Sequence, residues 1–404
     1  MRPTLKIIAR PASPLPVNPK TLTFVSALAA LLITFVASPS PSTAQVGDNA
    51  SSCALEAATV ATGLEFPWGL AFINAQTALI TERPGGLQIV DLATGDATPV
   101  EGAPRVAANG QGGLLDVALA PDFAASGTIF FSFSEPRGGR TGTSIGRATL
   151  QGWDTTRPVL TDTDVLFQQS APDGNGRHFG SRIVVLPDGT LAFTIGDRGT
   201  PPRSQDPFDH AGSVLRINQD GSVPSDNPFA DGTAAQPEIW STGHRNPQGA
   251  TLDTATGVLW TVEHGARGGD EINQPQAGRN YGWPTISYGV NYSGTRIGIG
   301  TAADGLEQPV YFWDPSIAPS GMAILRGSAL FPSWDGDMLV GALRSRALVR
   351  LNREGGNIIG EDRLFENALG RVRDVRQGPD GAIWLLIDDT NGSLVRVTPA
   401  NGVC

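Results

Sequence analysis

The chain has 404 residues and a formal net charge of −10, with 39 acidic residues against 29 lysines and arginines. So acidic a chain repels nucleic acid and anionic lipid, which disfavours both as partners. Apolar residues make up 40% of the chain, and this predicts a globular protein rather than a disordered one. Fifty glycines and 31 prolines indicate many short strands and turns rather than helices.

The first 44 residues differ from the rest. Four basic residues precede the apolar run FVSALAALLITFVA at 24–37, and small residues follow it up to Ala44. This pattern predicts a secretory signal over 1–44, a linker over 45–59 and a periplasmic or secreted location. A retained membrane anchor is the alternative, although the run is short for a membrane span. Without the signal the net charge becomes −14, since 25 arginines face 39 acidic residues and no lysine remains.

The two cysteines, Cys53 and Cys404, stand at the two ends of the predicted mature chain. In an oxidising compartment we expect them to pair and tie the termini together. The alternative is that Cys53 is a lipid-anchored first residue. The preceding NASS lacks the leucine that such signals usually carry, which disfavours this alternative.

A sequence pattern recurs six times after residue 60. Each copy has two apolar or β-branched runs around an Asp/Gly or Pro turn, which predicts a β-hairpin. The copies lie at 66–82, 113–135, 181–197, 247–265, 320–343 and 373–389. Six such copies predict an all-β fold over 60–404, a six-bladed β-propeller of four-stranded antiparallel sheets.

The loops between these repeats carry the candidate functional residues, as is usual for such scaffolds. His178 lies in RHFGSR, and Asp197 follows in GDRG at the end of the same predicted hairpin. A carboxylate behind an imidazole fixes its tautomer and raises its basicity, so the pair suits a general base. A surface salt bridge is the alternative interpretation.

Other loops suit a ligand. Gln111 lies in GQGGLLD, where glycines allow a ligand to approach the backbone closely. Arg245 and Asn246 in GHRNPQG suit a carboxylated or quinonoid ligand, although a turn explains this motif equally well. In RSR at 344–346 and RVRD at 371–374, arginines alternate along a predicted strand. Arg371 and Arg373, together with Arg245 and Arg344, suggest an anion pocket, with solvated strand arginines as the alternative.

The segment EHGARGGDEIN at 263–273 combines acids, glycines and exposed carbonyls. That composition suits a hard cation with oxygen ligands, calcium before magnesium. An acidic turn without a metal is equally compatible with it. Two apparent motifs are excluded. GTSIG at 142–146 precedes a predicted strand rather than the helix of a nucleophile elbow. GIGTAA at 298–303 lacks the strand and helix of a dinucleotide site.

Ten sequence segments, taken together and in this order, are informative about the family. They are FPWGLAF, TERPGGLQIV, GQGGLLDVALAPDF, RHFGSR, GDRG, GSVLRINQDGSVPSDNPF, GHRNPQG, DEINQPQAGRNYGWP, IAPSGM and RVRDVRQGPDG. The set resembles the soluble sugar dehydrogenases that depend on pyrroloquinoline quinone (PQQ), in particular the bacterial aldose sugar dehydrogenases. The resemblance covers nearly all of residues 60–400.

The resemblance implies a six-bladed propeller with PQQ over the tunnel mouth and a Ca²⁺ ion beside it. His178 falls on the catalytic base, Asp197 on the carboxylate that orients it, and Arg245 near the reacting carbonyl. The positions that match cofactor contacts are Gln111, Arg245, Asn246, Tyr292, Arg344, Arg371 and Arg373. Main-chain oxygens of Gly265 and Ala266 match the active-site calcium ligands, and Glu271 and Tyr281 match a second, structural calcium site.

Three positions depart from the pattern of the family. In the region of Arg344 the glucose dehydrogenases of the family have a lysine. The guanidinium group of arginine is wider than an ammonium group, so the geometry of its contact with a carboxylate differs. Ala266 replaces a proline, which is harmless where only the carbonyl is used. A tryptophan of the sugar pocket is replaced, by Asp314, so the identity of the sugar is not transferred.

The expected activity is oxidation of an aldose at the anomeric carbon to a lactone, by base-assisted hydride transfer to the quinone. The expected partners are the sugar and an electron acceptor of another kind, and the expected state is a monomer or weak dimer. Two alternatives remain at this point. One is a non-catalytic extracellular propeller that binds a protein or carbohydrate, and the other is a calcium-dependent lactonase on the same fold.

Overall fold

The computed structural model describes residues 53–404, so the predicted signal at 1–44 lies outside the described residues. Twenty-four strands form six four-stranded antiparallel sheets. The strands of the first three blades are β2 Pro67–Phe72, β3 Thr77–Glu82, β4 Leu87–Asp91 and β5 Ala97–Pro99; β6 Leu114–Leu119, β7 Thr128–Arg137, β8 Arg140–Gln151 and β9 Val159–Gln168; and β10 Ile183–Val185, β11 Leu191–Ile195, β12 Ser213–Ile217 and β13 Ile239–Ser241.

The other three blades complete the ring. Their strands are β14 Pro247–Asp253, β15 Val258–Glu263, β16 Asp270–Asn273 and β17 Tyr311–Trp313; β18 Pro319–Ile324, β19 Met338–Ala342, β20 Ala347–Glu354 and β21 Asn357–Leu364; and β22 Val372–Gln377, β23 Ile383–Ile387, β24 Gly392–Pro399 and β1 Leu55–Leu64. The helical segments in the described range are α1 Phe123–Ser126 and the 3₁₀ turns Pro201–Gln205 and Pro332–Trp334. No helix in this range is long and apolar enough to cross a membrane. The predicted six-bladed propeller is confirmed.

The ring closes through its last blade. The first strand of the chain, β1, pairs antiparallel with β24, from Leu55 opposite Pro399 to Leu64 opposite Gly392. Residues 55–59 therefore belong to the ring rather than to the predicted linker, because they supply the outer strand that the last blade needs. A disulfide between Cys53 and Cys404 ties the two ends together, as expected.

The core lies between adjacent blades. Alternate residues of each strand point to opposite faces of its sheet, so both faces of a blade must be covered by its neighbours. Six clusters of buried apolar side chains fill the six spaces between blades. The largest one joins Trp260 and Trp313 of the fourth blade to Met322 and Met338 of the fifth.

Antiparallel order places alternate loops at opposite ends of the ring. Loops that follow the second and fourth strand of each blade lie at one end, here called the cavity end. Loops that follow the first and third strands lie at the far end. One exception is the 37-residue segment 274–310, which starts at the far end after β16. This segment, here called the climbing segment, runs between the third and fourth blades to the cavity end, where Val290 pairs with Arg267.

Candidate active site

His178 and Asp197 meet at the cavity end, on the loops before β10 and after β11. The His178 Nδ1 lies 2.6 Å from Asp197 Oδ1. The backbone of His178 is in the left-handed region at φ +54° and donates from its N–H to Gln111 Oε1 at 2.7 Å. The predicted hairpin thus brings the two side chains together, and the loop that carries His178 is held by Gln111 from the preceding blade.

The electrostatics leave His178 neutral and Asp197 charged. Burial lowers the pKa of His178, and this outweighs the opposing effect of the Asp197 carboxylate. Burial alone would raise the pKa of Asp197, but the hydrogen bond and charge of His178, with Arg245, lower it. A carboxylate that accepts the Nδ1–H leaves the lone pair on Nε2. The free ring nitrogen is therefore an acceptor for a proton at neutral pH.

Two further donors hold the Asp197 carboxylate. The indole Nε1 of Trp283 donates to Oδ2 at 2.8 Å, and the Gly199 N–H donates to Oδ1 at 2.7 Å. Asp197 is fully buried, so these donors fix its plane relative to the imidazole. Trp283 belongs to the climbing segment 274–310, and no local sequence pattern marks it as a site residue.

A cavity of about 480 Å³ opens at the cavity end, and Gln111, which holds the loop of His178, lies on its wall. Its lining residues are Phe66, Trp68, Arg83, Gly110, Gln111, Gln248, His264, Ala318, Leu343, Arg371, Arg373, Asp388, Asp389 and Thr390. Gln111, Arg371 and Arg373 were predicted to contact a cofactor, and the structure places all three on this wall. Trp68, Gln248 and Asp388 were not singled out.

The two lining arginines share a carboxylate. Arg371 and Arg373 both donate to Asp388 Oδ2, at 3.1 and 2.9 Å, and Arg373 also donates to Gln248 Oε1 at 2.9 Å. Arg373 is buried, and its Nε has no hydrogen-bond partner in the described structure. One carboxylate between two guanidinium groups leaves a positive balance, so the wall offers donors to an anionic ligand.

Arg245 and Asn246 brace the neighbouring loops. Arg245 is buried and donates from its guanidinium to the His264 carbonyl at 3.0 Å. Its Nε has no partner among the described residues. Asn246 accepts from the Gly180 N–H at 3.2 Å through Oδ1. Gly180 lies two residues after His178, so Asn246 helps to position the loop that carries the imidazole.

A second, smaller cavity lies behind the first. Arg245, Glu263, His264, Gly265, Glu271, Tyr281 and Trp283 are among its lining residues, and His264 lines both cavities. Burial raises the pKa of Glu271 well above its ordinary value, and the Glu263 carboxylate adds to this effect. Gly265 of the predicted active-site calcium and Glu271 and Tyr281 of the predicted second calcium site therefore line one and the same cavity.

The chain is similar in sequence and fold to known proteins. Residues 64–396 match the Glucose / Sorbosone dehydrogenase family. The chain is a member of this family. It is 41% identical to the aldose sugar dehydrogenase YliI of Escherichia coli over 342 residues, which is 84% of this chain and 91% of that protein. The family assignment makes the chain a sugar dehydrogenase, an oxidoreductase.

Solved structures of the family agree with the fold. The aldose sugar dehydrogenase of E. coli in its apo form superposes with a TM-score of 0.82 at 40% identity, covering 86% of this chain and all of that one. The PQQ-bound aldose sugar dehydrogenase of Streptomyces coelicolor gives a TM-score of 0.71 at 28% identity. That match covers 85% of this chain and 99% of the other.

Seven of the thirteen predicted site residues of this sugar dehydrogenase line one of the two cavities, and six line neither. The six are His178, Asp197, Asn246, Tyr292, Arg344 and Ala266. His178 and Asp197 contact the lining residues Gln111 and Trp283, and Ala266 is buried against Trp283. Tyr292 is 75% exposed. Arg344 is exposed and donates to the Ser316 carbonyl at 3.4 Å, whereas its neighbour Leu343 lines the larger cavity.

Proposed function

We propose that this sugar dehydrogenase oxidises aldoses at the anomeric carbon to lactones, with PQQ as the electron acceptor and Ca²⁺ beside it. The observation that carries the proposal is the His178–Asp197 pair, with its free Nε2, whose loop is held by Gln111 from the wall of a cavity that also bears Arg371 and Arg373. An ion pair without a catalytic role needs no such cavity. A non-catalytic binding propeller also does not need a neutral imidazole held by a charged carboxylate.

The chemistry of the larger cavity fits a carboxylated quinone. Arg371 and Arg373 offer guanidinium donors for carboxylates, and the buried Nε of Arg373 lacks a partner among the described residues. Gln111 and Gln248 add amide groups on the same wall. Buried polar atoms are normally hydrogen-bonded, so an orphaned donor at a cavity wall supports a polar ligand there.

The smaller cavity fits a hard cation. Its oxygen atoms come from the side chains of Glu263 and Glu271 and from a tight turn. In this turn the carbonyl oxygens of Gly268 and Gly269 lie close to Gly265. Two buried carboxyl groups so close repel each other unless a proton or a cation intervenes. Calcium accepts such oxygen sets in flexible geometries. The Tyr281 hydroxyl is already bonded to Gln274 and Gln276, so only its backbone is free to contribute.

The residues of the chain then have separate roles. His178 Nε2 removes the proton of the anomeric hydroxyl, and Asp197 holds the imidazole in the productive tautomer and stabilises its charge after the transfer. Arg245 lines the smaller cavity, donates to the carbonyl of His264, which lines both cavities, and stabilises developing negative charge. A bound quinone would supply the acceptor for the hydride of the anomeric carbon, and a bound cation would supply Lewis-acid polarisation. The sugar thus loses one proton to His178 and one hydride.

A reconstitution experiment tests this proposal. PQQ and CaCl₂ are added to the purified protein, and aldose-dependent reduction of an uncharged soluble quinone is followed. We expect reduction that requires both additions, and His178→Ala should lose about 10²–10⁴-fold in rate while cofactor absorbance still titrates. A variant that keeps more than a tenth of wild-type activity would disprove the role of His178. Lactone hydrolysis without PQQ would favour the calcium-dependent lactonase instead.

We also propose a location outside the cytoplasm, periplasmic or secreted. The Cys53–Cys404 disulfide supports it, because such bonds persist in oxidising compartments. Fractionation of the host cells, with immunodetection of the chain, tests this location.

A further inference from the structure

We propose that the cavity end of the ring is a docking face for an acidic, one-electron carrier protein. The inference rests on the proposed function, because a dehydrogenase must pass on the electrons that it takes from the sugar. Oxidation of one aldose to its lactone releases two electrons and two protons. Two carriers therefore dock in turn, each is reduced by one electron, and both protons pass to solvent.

Charge is divided unevenly between the two ends of the ring. Apart from the climbing segment 274–310, the loops at the cavity end hold eleven arginines and ten acidic residues, whereas the loops at the far end hold two arginines and eleven acidic residues. Like charge repels an acidic protein from the far end. The cavity end lacks this negative excess, so an acidic partner approaches it preferentially.

The arginines at the cavity end are also less often paired. Ten of the 25 arginines in residues 53–404 form no ion pair with another residue of that range, and seven of these ten lie in cavity-end loops. The seven are Arg83, Arg105, Arg177, Arg245, Arg267, Arg344 and Arg346. Arg177, Arg267, Arg344 and Arg346 are exposed. Arg296 is likewise unpaired within that range, and its backbone bridges to Val290 beside Arg267.

Acidic residues also occur at this end and reduce the positive potential. Asp388 is neutralised by Arg371 and Arg373. Five acids of the cavity-end loops form no ion pair within 53–404, namely Glu65, Glu101, Asp206, Asp314 and Asp389. Asp389 accepts hydrogen bonds from Thr390 and Asn391 of its own loop. The seven unpaired arginines outnumber these five acids, and the exposed ones among them offer their guanidinium groups to an approaching carboxylate.

Exposed apolar side chains lie near Arg267 and Arg296, whose backbones pair with Val290. Of seven large apolar side chains that are at least 36% exposed, three belong to this part of the climbing segment, namely Val290, Tyr292 and Ile299. Arginine and aromatic residues are enriched at protein interfaces, and electron-transfer complexes use small interfaces of this kind. Charge and exposed apolar area therefore mark the same end.

The experiment uses the reconstituted enzyme with an aldose and two electron-accepting cytochromes, one acidic and one basic, of similar potential. An uncharged soluble quinone serves as the reference acceptor. We expect faster reduction of the acidic cytochrome at about 20 mM salt, with a loss of about tenfold at 200 mM. The rate with the quinone should not depend on salt. Faster reduction of the basic cytochrome, or rates without salt dependence, would overturn the proposal.

Charge-reversal variants locate the face. R267E/R346E should slow reduction of the acidic cytochrome about tenfold at low salt and leave quinone reduction unchanged. R157E is the matched control, since Arg157 is also exposed and without an ion pair in the described range, but lies at the far end between β8 and β9. Equal slowing by R157E, or no slowing by R267E/R346E, would contradict the assigned face. The quinone rate of each variant reports whether its site has folded.

A binding measurement separates this inference from the proposed function. Cofactor-free protein is passed over the immobilised acidic cytochrome, and the surface plasmon resonance response is recorded at the two salt concentrations. We expect weak, salt-sensitive binding that R267E/R346E reduces and R157E does not. If the quinone is never reduced, the proposed function fails, whereas absence of this binding rejects the docking face even in an active enzyme.

Discussion

Trp283 donates its indole N–H to the carboxylate that orients His178, across 86 residues of sequence, at 2.8 Å from Asp197 Oδ2. The same indole lies under Arg245, whose guanidinium carbon is 5.2 Å from the ring centroid. One side chain of the climbing segment thus contacts both the acid of the proposed dyad and the buried arginine next to it. The segment 274–310 is therefore part of the site and not only a connection between strands.

Trp283→Phe should weaken catalysis by releasing one Asp197 oxygen. A hydrogen bond to a charged group is worth roughly 1.5–3 kcal/mol, so kcat should fall by about ten- to a hundredfold while sugar KM changes little. The matched control is W260F, since the buried Trp260 Nε1 has no partner among the described residues. Steady-state kinetics on both variants checks this prediction. An equal loss of kcat in W260F would show that only ring packing matters.

The pH profile should show that His178 acts as a neutral base. Because burial lowers its pKa below the ordinary value of 6.5, the imidazole is already deprotonated at neutral pH. We expect kcat/KM to rise with pH through an apparent pKa below 6.5 and to stay level above it. An acid limb centred above 6.5 would contradict the environment described for this residue.

Asp197→Asn should shift the acid limb of the kcat/KM pH profile to lower pH. Asp197 raises the pKa of His178, so removal of its charge should move the acid limb to still lower pH. The plateau should fall by about 10²–10⁴, because the amide no longer enforces the tautomer with Nε2 free. Kinetics over pH 4.5–8, together with ¹⁵N NMR of the imidazole, measures both effects. A shift of the limb to higher pH would refute the assigned interaction.

Much of this fold could be predicted from local signals. Each hairpin repeats two apolar runs around a turn, and the His178–Asp197 contact lies within one such hairpin, 19 residues apart. Trp283, Gln248 and Asp388 escaped prediction because their contacts depend on how the ring closes and where a 37-residue segment runs. The sequence predicts a linker for part of strand β1, because an outer strand that is paired only on one side is mostly exposed and weakly apolar.

Arg198→Lys should loosen the loop that carries His178. The fully buried Arg198 donates to the carbonyls of Arg177 and Asn175, and its guanidinium carbon is 3.5 Å from the Phe179 ring centroid. Lysine offers one point charge instead of a planar fork, so buried carbonyls lose donors at about 1–3 kcal/mol each. We expect a lower melting temperature by calorimetry and a lower kcat.

The control for this variant is R396K. Arg396 pairs with Asp380 at 2.7 Å, and both side chains are about a third exposed. Solvent screens such a pair, and we expect a change below about 1 kcal/mol with normal activity. If R198K were as stable and as active as R396K, the buried arginine would not be needed to position the loop.

Loss of the disulfide should destabilise the ring without altering the site. Cys53 and Cys404 lie 351 residues apart in sequence, at the far end, and their bond fixes the outer strand of the last blade to the end of the chain. Removal of a native disulfide costs about 2–5 kcal/mol. The double variant C53S/C404S should therefore show a lower urea midpoint by fluorescence. At 20 °C it should keep wild-type kcat, because the pair is remote from the cavities, and a large fall in kcat with unchanged stability would reverse this expectation.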